Sequence, residues 1–457
     1  MVSIRPKLSG IGVAAALLGS LLLVSPAPVA ASGVALPSVS ANPPAVQAGK
    51  PADGIFACQL PGPAYAPHCY APKQIQAAYG FNTLYHMGVL GQLRTIVIVD
   101  AFSNPYIGTD LQIFDSQFGL PDPTFNIIYG YPGTPTPFNI ADADQVGWSS
   151  EISLDVEWAH AIAPAATIDL VLAKSDADAD LNTATKYAVD NNLGDVISQS
   201  FGEAESCPGS TLRNALHNIY QAATAKGITL LASSGDEGAA QLNCAGTAYI
   251  KSASWPADDP LVTGVGATSL TANLTTGAYG SERAWADAYS NCFPANSYGC
   301  SGGGFSTVYN RPAYQPGVSG QGNKRGVPDV AYNGGVDGGV LVHWGVGNVV
   351  YASYAATDPV FWIFGGTSAG SPQWAGLVAL TDSIKHGRVG FINPALYQIA
   401  ASPYLYASMF HDITYGNNSW WTGVKITGYN AAPGWDAVTG LGTPKANVLV
   451  PFLAMNL

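Results

Sequence analysis

Residues 365–372 read Gly-Gly-Thr-Ser-Ala-Gly-Ser-Pro, and this stretch decides how the rest of the chain is interpreted. An apolar run over 360–364 precedes it, and residues 373–380 have a helical pattern. A serine between a strand and a helix can present its hydroxyl at the helix N-terminus, where backbone N–H groups and the dipole favour negative charge. Small neighbours let a substrate backbone approach closely. The stretch therefore predicts a nucleophile at Ser368, although a plain glycine-rich turn would have the same pattern.

Composition limits the class of protein. The chain has 457 residues, enough for one large domain or two to three ordinary ones. Charged residues make up only 11%, so the surface must rely on uncharged polar residues, which suits a protein exported into an acidic medium. The net charge of −12 at pH 7 argues against a nucleic-acid partner.

The N-terminus has the pattern of a secretory signal over residues 1–31. Arg5 and Lys7 form a charged region, residues 11–24 form a short apolar core, and small residues precede a cleavage position at Ser32. A membrane anchor needs about 20 apolar residues, and no later stretch has them. The sequence predicts a secreted, extracellular protein without a membrane partner.

Export makes disulfides plausible for the six cysteines. The simplest pairing joins neighbours in sequence, Cys58–Cys69, Cys207–Cys244 and Cys292–Cys300, although 15 connectivities are open to six cysteines. The chain has no Cys-x-x-Cys motif, which argues against a cysteine-based zinc site.

Strand and helix patterns alternate along the chain. Residues 32–56 are rich in Pro, Ala, Ser and Val and are interpreted as a flexible lead-in, with one folded domain over 57–457. Buried-strand patterns occur at 95–100, 168–173, 196–200 and 228–233, and helical patterns at 72–79, 151–163, 180–191 and 211–226. This alternation predicts an α/β fold with a mostly parallel central sheet and helices on both faces.

Parallel sheets place functional sites at the carboxyl ends of their strands. Asp100, Ser200 and residues 234–236 each follow an apolar strand, and Ser368 follows the run over 360–364. We therefore expect these residues at one edge of the sheet.

A nucleophilic serine needs a base, and the seven histidines show no serine-protease context. Glu151 and Asp155 are four residues apart, on one face of a predicted helix that Ser149 or Ser150 would cap and Pro164 would end. Two adjacent carboxyls cannot both ionise cheaply, so such a pair could take a hydroxyl proton in acid, where imidazole is already protonated. The alternative is a solvated acidic stripe, but the neighbouring apolar residues favour a buried helix.

Asp236 lies in the turn Ser-Ser-Gly-Asp-Glu-Gly over 233–238, after a strand. It could be an ordinary turn residue. It could also stabilise an oxyanion, but a carboxyl donates a hydrogen bond only when it is protonated. That function requires acid or a raised pKa.

Taken in order, Glu151-xxx-Asp155, Ser-Ser-Gly-Asp236 and Gly-Gly-Thr-Ser368 resemble the motifs of the sedolisins, serine-carboxyl peptidases with a subtilisin-like fold. Residues 301–306, 327–331 and 390–397 resemble that family too, and the likeness covers roughly residues 70–455. The resemblance implies an endopeptidase acting on polypeptides, and we expect it to be a monomer. It implies Ser368 as nucleophile, Glu151 as general base, Asp155 as its orienting partner and Asp236 as oxyanion stabiliser.

Two C-terminal segments, His-Asp-Ile-Thr over 411–414 and Pro-Gly-Trp-Asp over 433–436, resemble the calcium-binding segments of the same family. Carboxylates with glycine-rich carbonyls suit a hard cation. The resemblance implies structural Ca²⁺ on the side chains of Asp412 and Asp436 and the carbonyls of Ile413, Ala432 and Gly434. Two turns with ordinary Asp caps are the alternative.

The chain departs from the family pattern in two places. Sedolisins commonly have a long N-terminal prosegment, whereas the predicted lead-in here is short. The family often has Trp after its central Ser, in a network with an acidic residue on the first strand; this chain has Phe201 there, and Asp100 at the strand end.

Two other functions fit part of the sequence. Gly366-Thr-Ser-Ala-Gly370 matches the Gly-x-Ser-x-Gly elbow of esterases and lipases, for which Asp382 with His386 or His411 could complete a triad. That interpretation leaves Glu151, Asp155 and Asp236 unexplained. A catalytically weak binding protein of the same fold is the other alternative, and the filled catalytic positions argue against it.

Overall fold

The computed structural model describes residues 43–286, 299–315, 322–421 and 425–457, and the predicted signal at 1–31 lies outside them. The described residues belong to one compact unit. Its strands are β1 (Ala45–Gly49), β2 (Cys69–Tyr70), β3 (Thr95–Ala101), β4 (Phe125–Tyr129), β5 (Thr167–Ala173), β6 (Val196–Gln199), β7 (Glu203–Ala204), β8 (Thr229–Ser233), β9 (Ala240–Leu242), β10 (Tyr249–Lys251), β11 (Ser254–Trp255), β12 (Thr263–Ala272), β13 (Tyr279–Ala284), β14 (Gly304–Asn310), β15 (Lys324–Val327), β16 (Val330–Asn333), β17 (Gly339–His343), β18 (Phe361–Phe364), β19 (Phe410–His411), β20 (Trp420–Trp421), β21 (Lys425–Ile426) and β22 (Thr443–Pro444).

The helices are α1 (Pro72–Ala78), α2 (Phe81–His86), α3 (Ile107–Phe118), α4 (Ala143–Ile162), α5 (Asp178–Asp190), α6 (Gly209–Ala225), α7 (Gly345–Tyr351), α8 (Gly370–Lys385), α9 (Asn393–Ala400), α10 (Pro403–Met409) and α11 (Ala446–Asn456). None of those in the described ranges is both long enough and apolar enough to cross a membrane.

The central sheet has the strand order β13-β12-β8-β6-β3-β5-β4, with β16 also paired to β12. All of its pairings are parallel except that of β12 with β13. The predicted mostly parallel α/β sheet is therefore confirmed. Its central strands are buried on both faces, which explains their continuous apolar sequences.

Helices cover both faces of this sheet, as predicted. Side chains alternate along β3, so Ile96 and Ile98 join a core with Trp158 of α4 and Trp374 of α8. Val97 and Val99 point to the opposite face, where they join the core that contains residues of α5 and α6. Because α4 and α8 share one layer, the residues that they carry come close together.

A glycine permits the close packing of α4 on α8. A Cβ built on Gly376 would stand 2.7 Å from the Ile162 Cβ, a distance that real side chains do not reach. Any larger residue at this position would push the two helices apart. Because the predicted base lies on α4 and the predicted nucleophile precedes α8, the helix spacing bears directly on the site.

The strand before Ser368 lies in a different sheet from the one the sequence analysis assigned. β18 belongs to a four-stranded sheet of order β1-β18-β17-β2, in which it runs antiparallel to both neighbours. Grouping it with the parallel strands was wrong, because a short apolar run is equally compatible with either kind of sheet.

Residues 45–49, which the sequence analysis placed in a flexible lead-in, form strand β1. They pair with β18 in the register Ala45↔Phe364, Val46↔Ile363 and Gln47↔Trp362. The Pro-Ala-Val composition carries no strand periodicity, and the segment is ordered by the unpaired edge that β18 offers. The flexible-linker prediction is therefore corrected for this part of 32–56.

Helix α4 begins earlier than predicted. Asp142 is its N-cap, and the Asp142 carboxylate accepts the backbone N–H groups of Asp144 and Gln145. Ser149 and Ser150 lie inside the helix, where their hydroxyls donate to carbonyls three residues back. The predicted serine cap was wrong because Asp142 caps the helix seven residues before Ser149.

Two of the three predicted disulfides, Cys58–Cys69 and Cys207–Cys244, are confirmed. The third involves Cys292, which lies outside the described residues.

Candidate active site

Ser368 lies in a single 3₁₀ turn, Thr367–Ala369, between β18 and the 16-residue helix α8. Its side chain is 7% exposed. The preceding Gly366 has φ 95°, and a Cβ on it would stand 2.6 Å from Asp236 Oδ2. Glycine is therefore required there, both for its backbone conformation and for space. The hydroxyl of Ser368 is at a helix N-terminus, as the sequence predicted.

The side chains of Glu151 and Asp155 are fully buried, one turn apart on α4. Burial raises both pKa values well above the ordinary range of carboxyl groups, and the negative charge of Asp155 raises the Glu151 pKa further. The Ser368 hydroxyl is near enough to oppose this shift at Glu151, although neither Glu151 oxygen has a hydrogen-bond partner within the described residues. The predicted nucleophile and the predicted base are brought together.

Ser200 holds the second carboxyl of the pair. Its Oγ donates to Asp155 Oδ1 at 2.9 Å, a contact that favours the ionised form of Asp155. The sequence analysis placed Ser200 at a strand end but assigned it no partner. The signal that could have found it is the position itself, because strand ends of a parallel sheet converge on one edge.

Asp100 adds a third carboxyl at the end of β3. It is fully buried, and neither of its oxygens has a hydrogen-bond partner within the described residues. Burial raises its pKa to about 8, and its charge would raise the pKa values of Glu151 and Asp155. Three carboxyls this close cannot all be ionised, so protons are shared among them at acidic pH.

Asp236 is tied to the residue that precedes the nucleophile. Its Oδ1 accepts the Thr367 N–H at 2.7 Å and the Thr367 hydroxyl at 2.8 Å. Thr367 Oγ1 in turn accepts the Gly235 N–H at 3.1 Å, which closes a small network that the sequence analysis missed. Burial raises the Asp236 pKa, and the two Thr367 bonds oppose that shift. Oδ2 accepts no bond from the described residues and is free to carry a proton.

The residues of the alternative esterase triad are not brought to the serine. Asp382 is twelve residues after the first residue of α8, or about 18 Å along the helix at 1.5 Å per residue. Its Oδ1 accepts the Val389 N–H, and His386 caps that far end of the helix. His411 stacks on Tyr279, with ring centroids 3.8 Å apart. Asp382 and His386 are therefore too far from Ser368 to form a catalytic triad with it.

The predicted calcium ligands lie in neighbouring loops. Gly434 N–H donates to both oxygens of Asp412, and the Tyr406 hydroxyl donates to Asp412 Oδ1 at 2.9 Å. Burial raises the pKa of Tyr406, and negative charge on Asp412 and Asp436 raises it further, so both carboxylates are near this hydroxyl.

The donor set fits a hard cation with oxygen ligands. The carbonyls of Ile413, Ala432 and Gly434 accept no hydrogen bond from the described residues, although the Asp436 carboxylate accepts several backbone N–H groups. Within the described ranges, no cluster of three or more His, Cys, Asp or Glu side chains could hold a metal. Such a site would therefore depend on these carbonyls.

The buried carboxyls predict a protein that is more stable in acid. Burial raises the pKa of Asp100 to about 8 and that of Glu203 to about 9, so the folded state binds these protons more tightly than the unfolded chain. Their contribution to the free energy of unfolding is fully present below about pH 4. It is lost as the pH rises through the pKa values that these groups have in the folded state. We expect a higher Tm at pH 4 than at pH 8 in calorimetry with a chelator present. Glu203→Gln should flatten this dependence, and a higher Tm at pH 8 would contradict it.

The chain resembles several known proteins. The family model described as the subtilase family matches residues 150–394. Kumamolisin from Bacillus sp. (strain MN-32) is 31% identical over 389 residues, covering 83% of this chain and 62% of the relative. Sedolisin from Pseudomonas sp. (strain 101) is 32% identical over 322 residues, covering 68% of this chain and 50% of the relative. The chain therefore spans about half to three fifths of the length of these relatives.

A solved structure also resembles the chain. Pseudomonas sedolisin, described as a serine-carboxyl proteinase complexed with two molecules of pseudo-iodotyrostatin, superposes with a TM-score of 0.71 at 27% identity. The match covers 85% of this chain and 98% of that one.

Proposed function

The chain belongs to the subtilase family, as a sedolisin, and from this premise we propose that it is a secreted serine-carboxyl endopeptidase that acts on polypeptides in acid. The observation that supports this most is the burial of the Glu151–Asp155 pair close to Ser368, which lies in the turn that leads into α8. The predicted signal and the two disulfides support secretion. We propose that it acts as a monomer.

In the first step, the ionised Glu151 takes the hydroxyl proton of Ser368 while Oγ bonds to the scissile carbonyl carbon. Glu151 becomes neutral, and Asp155 holds it in position from the next helical turn. Ser200 keeps Asp155 oriented. A carboxylate serves here as base because the site works where imidazole would be charged.

The oxyanion that forms needs a donor. Asp236 can supply it only while Oδ2 carries a proton, and Thr367 holds the opposite oxygen, Oδ1, in place. The positive end of α8 favours the same negative charge. Burial of Asp236 keeps its proton to higher pH than in an exposed carboxyl.

The intermediate then collapses. Glu151 returns its proton to the leaving amine, the C–N bond breaks, and the acyl group remains on Ser368 Oγ. A water molecule attacks this ester, with Glu151 again accepting a proton. The carboxylic acid product leaves, and Ser368 regains its hydroxyl proton from Glu151.

One assay separates this function from the esterase alternative. We expect the purified chain to digest casein at pH 4 and to leave a short-chain ester intact at pH 8. Ester turnover at pH 8 without casein digestion would favour the esterase. Binding of casein without cleavage at any pH would favour the catalytically weak binding protein.

We propose structural Ca²⁺ held by Asp412 and Asp436 with the carbonyls of Ile413, Ala432 and Gly434. The ion would neutralise two nearby carboxylates and join two loops, stabilising the folded state by mass action.

A chelator should therefore lower the Tm of the wild type by several degrees in differential scanning calorimetry. Asp436→Ala and the milder Asp412→Asn should lose this sensitivity, whereas Asp122→Ala, at an exposed position, should keep it. An equal response to chelator in all four proteins would contradict the site.

A further inference from the structure

The segment before strand β1 lies against the catalytic loop. The carbonyl of Pro44 accepts the N–H of Gly365 at 3.0 Å, immediately after β18 ends. The next N–H, from Gly366, is accepted by the Gly334 carbonyl at 2.8 Å. The turn that leads to the nucleophile is therefore held between Pro44 on one side and Gly334 on the other.

The ring of Pro44 also shares a face of Gly366 with Asp236. A Cβ built on Gly366 would stand 3.3 Å from Pro44 Cδ and 2.6 Å from Asp236 Oδ2. Both atoms therefore lie on the same side of the glycine. The Pro44 ring is therefore no more than about 6 Å from this carboxyl oxygen.

Strand β1, which follows Pro44, is anchored at its far end. Lys50 forms an ion pair with Asp358 at 3.1 Å, and its ammonium lies 4.9 Å from the ring centre of Tyr354. Between the two ends, Ala45, Val46 and Ala48 pack against the main core. The contacts extend along the whole strand, so Pro44 has a defined position.

We propose that residues 43–49 support catalysis. In this segment, Pro44 is a positioning residue that holds the Gly365–Gly366 turn and shields the Asp236 carboxyl from water. This rests on the proposed function, because it assumes that Ser368 and Asp236 do the chemistry. The family match begins at residue 150 and assigns nothing to this segment.

The proposal has a consequence for pH dependence. Burial holds the Asp236 pKa above its usual range, and the charged groups facing it are Glu237, the next residue, and Glu151 across the site. Removing the Pro44 ring would let water reach Oδ2, so the carboxyl would lose its proton at lower pH. The alkaline limb of activity should then move towards acid, a result that a purely structural strand would not produce.

The first test is made on the full chain. Pro44→Ala keeps the carbonyl but removes the ring, and we expect kcat to fall by about 10-fold with the alkaline limb shifted to lower pH and KM little changed. Gln47→Ala, at an exposed position on the same strand, is the control and should keep wild-type kcat and pH profile. A Pro44→Ala enzyme with wild-type kcat and limb would overturn the assignment of Pro44.

The second test removes the strand after folding. A specific protease site replaces residues 51–54, which form an exposed turn, and no cysteine precedes Cys58 to retain the released fragment. After cleavage and removal of the fragment, kcat should fall at least about 10-fold. A synthetic peptide of residues 43–50 should restore it, and its Pro44→Ala form should restore less.

The outcomes separate the two proposals. Absence of Ser368-dependent casein digestion in the intact wild type would be a failure of the proposed function, and this inference would fall with it. Normal digestion that persists after strand removal, with unchanged circular dichroism, would overturn this inference alone. A lower Tm with unchanged kcat and pH profile would also overturn it, because the strand would then be only structural. Fluorescence anisotropy of a labelled peptide would show that any lack of rescue is not a lack of binding.

Discussion

Ser368→Ala is expected to lower kcat for casein or a peptide substrate by at least about 10⁴-fold while leaving the fold intact. The serine oxygen is the atom that would bond to the scissile carbonyl, and it lies in the turn that leads into α8, close to Glu151. Losses of this size are typical when one member of a catalytic unit is removed. The side chain is small and 7% exposed, so the variant should keep the wild-type circular dichroism spectrum and Tm.

A matched control separates the nucleophile from serines that only support it. Ser371 lies on the first turn of the same helix, with its Oγ 2.7 Å from that of Ser198. Ser371→Ala should reduce stability but retain most of the activity. If Ser368→Ala keeps more than a few per cent of wild-type proteolysis, the assignment of the nucleophile is wrong.

Asp236→Ala is expected to lower kcat by roughly 10²–10³-fold, the loss seen when one oxyanion donor is removed. Activity should need Glu151 ionised and Asp236 protonated, so the profile against pH should be bell-shaped. Ordinary carboxyls titrate near pH 4, and burial raises both values here. As pH rises, Asp236 loses its proton and activity falls, while the raised pKa of Glu151 moves the acidic limb to higher pH, so we expect an acidic optimum above about pH 4. This loss need not involve unfolding, so circular dichroism should stay unchanged over part of the limb.

Asp236→Asn gives the sharper test. The amide keeps an acceptor for Thr367 and donates from its nitrogen without titrating, so part of the activity should survive. Its alkaline limb should extend towards neutral pH. Glu237→Gln is the control, since burial and the Asp236 charge raise the Glu237 pKa to about 7, close enough to be mistaken for the limb. An unchanged limb in Asp236→Asn, with a shift in Glu237→Gln, would assign the limb to Glu237 instead.

Much of the site could be predicted because its parts are local. Glu151 and Asp155 are one helical turn apart whatever surrounds them, and a small-residue turn before a helix presents Ser368 in any fold that keeps the helix. Alternating strands and helices were sufficient to predict the parallel sheet. The Asp142 cap of α4 was also local, and a search for Asp before the helix would have found it.

The remaining features depend on contacts between residues far apart in the chain. The edge of β18 turned residues 45–49 into a strand and placed Pro44 beside Gly366. The convergence of strand ends brought Ser200 to Asp155, and the loop after β8 brought Asp236 to Thr367. Strand periodicity cannot reveal a partner that lies some 300 residues away.

The raised pKa values of the site show most clearly which properties the sequence determines and which the tertiary structure determines. The sequence by itself determined which carboxyls the chain carries and their order, and hence that a serine-carboxyl chemistry was available. Only the tertiary structure decided that Asp100, Glu151 and Asp155 would be fully buried and Asp236 partly buried, which is what raises their pKa values. The physical reason is that the cost of ionising a carboxyl depends on the water and charge around it, and residues distant in the chain supply those surroundings.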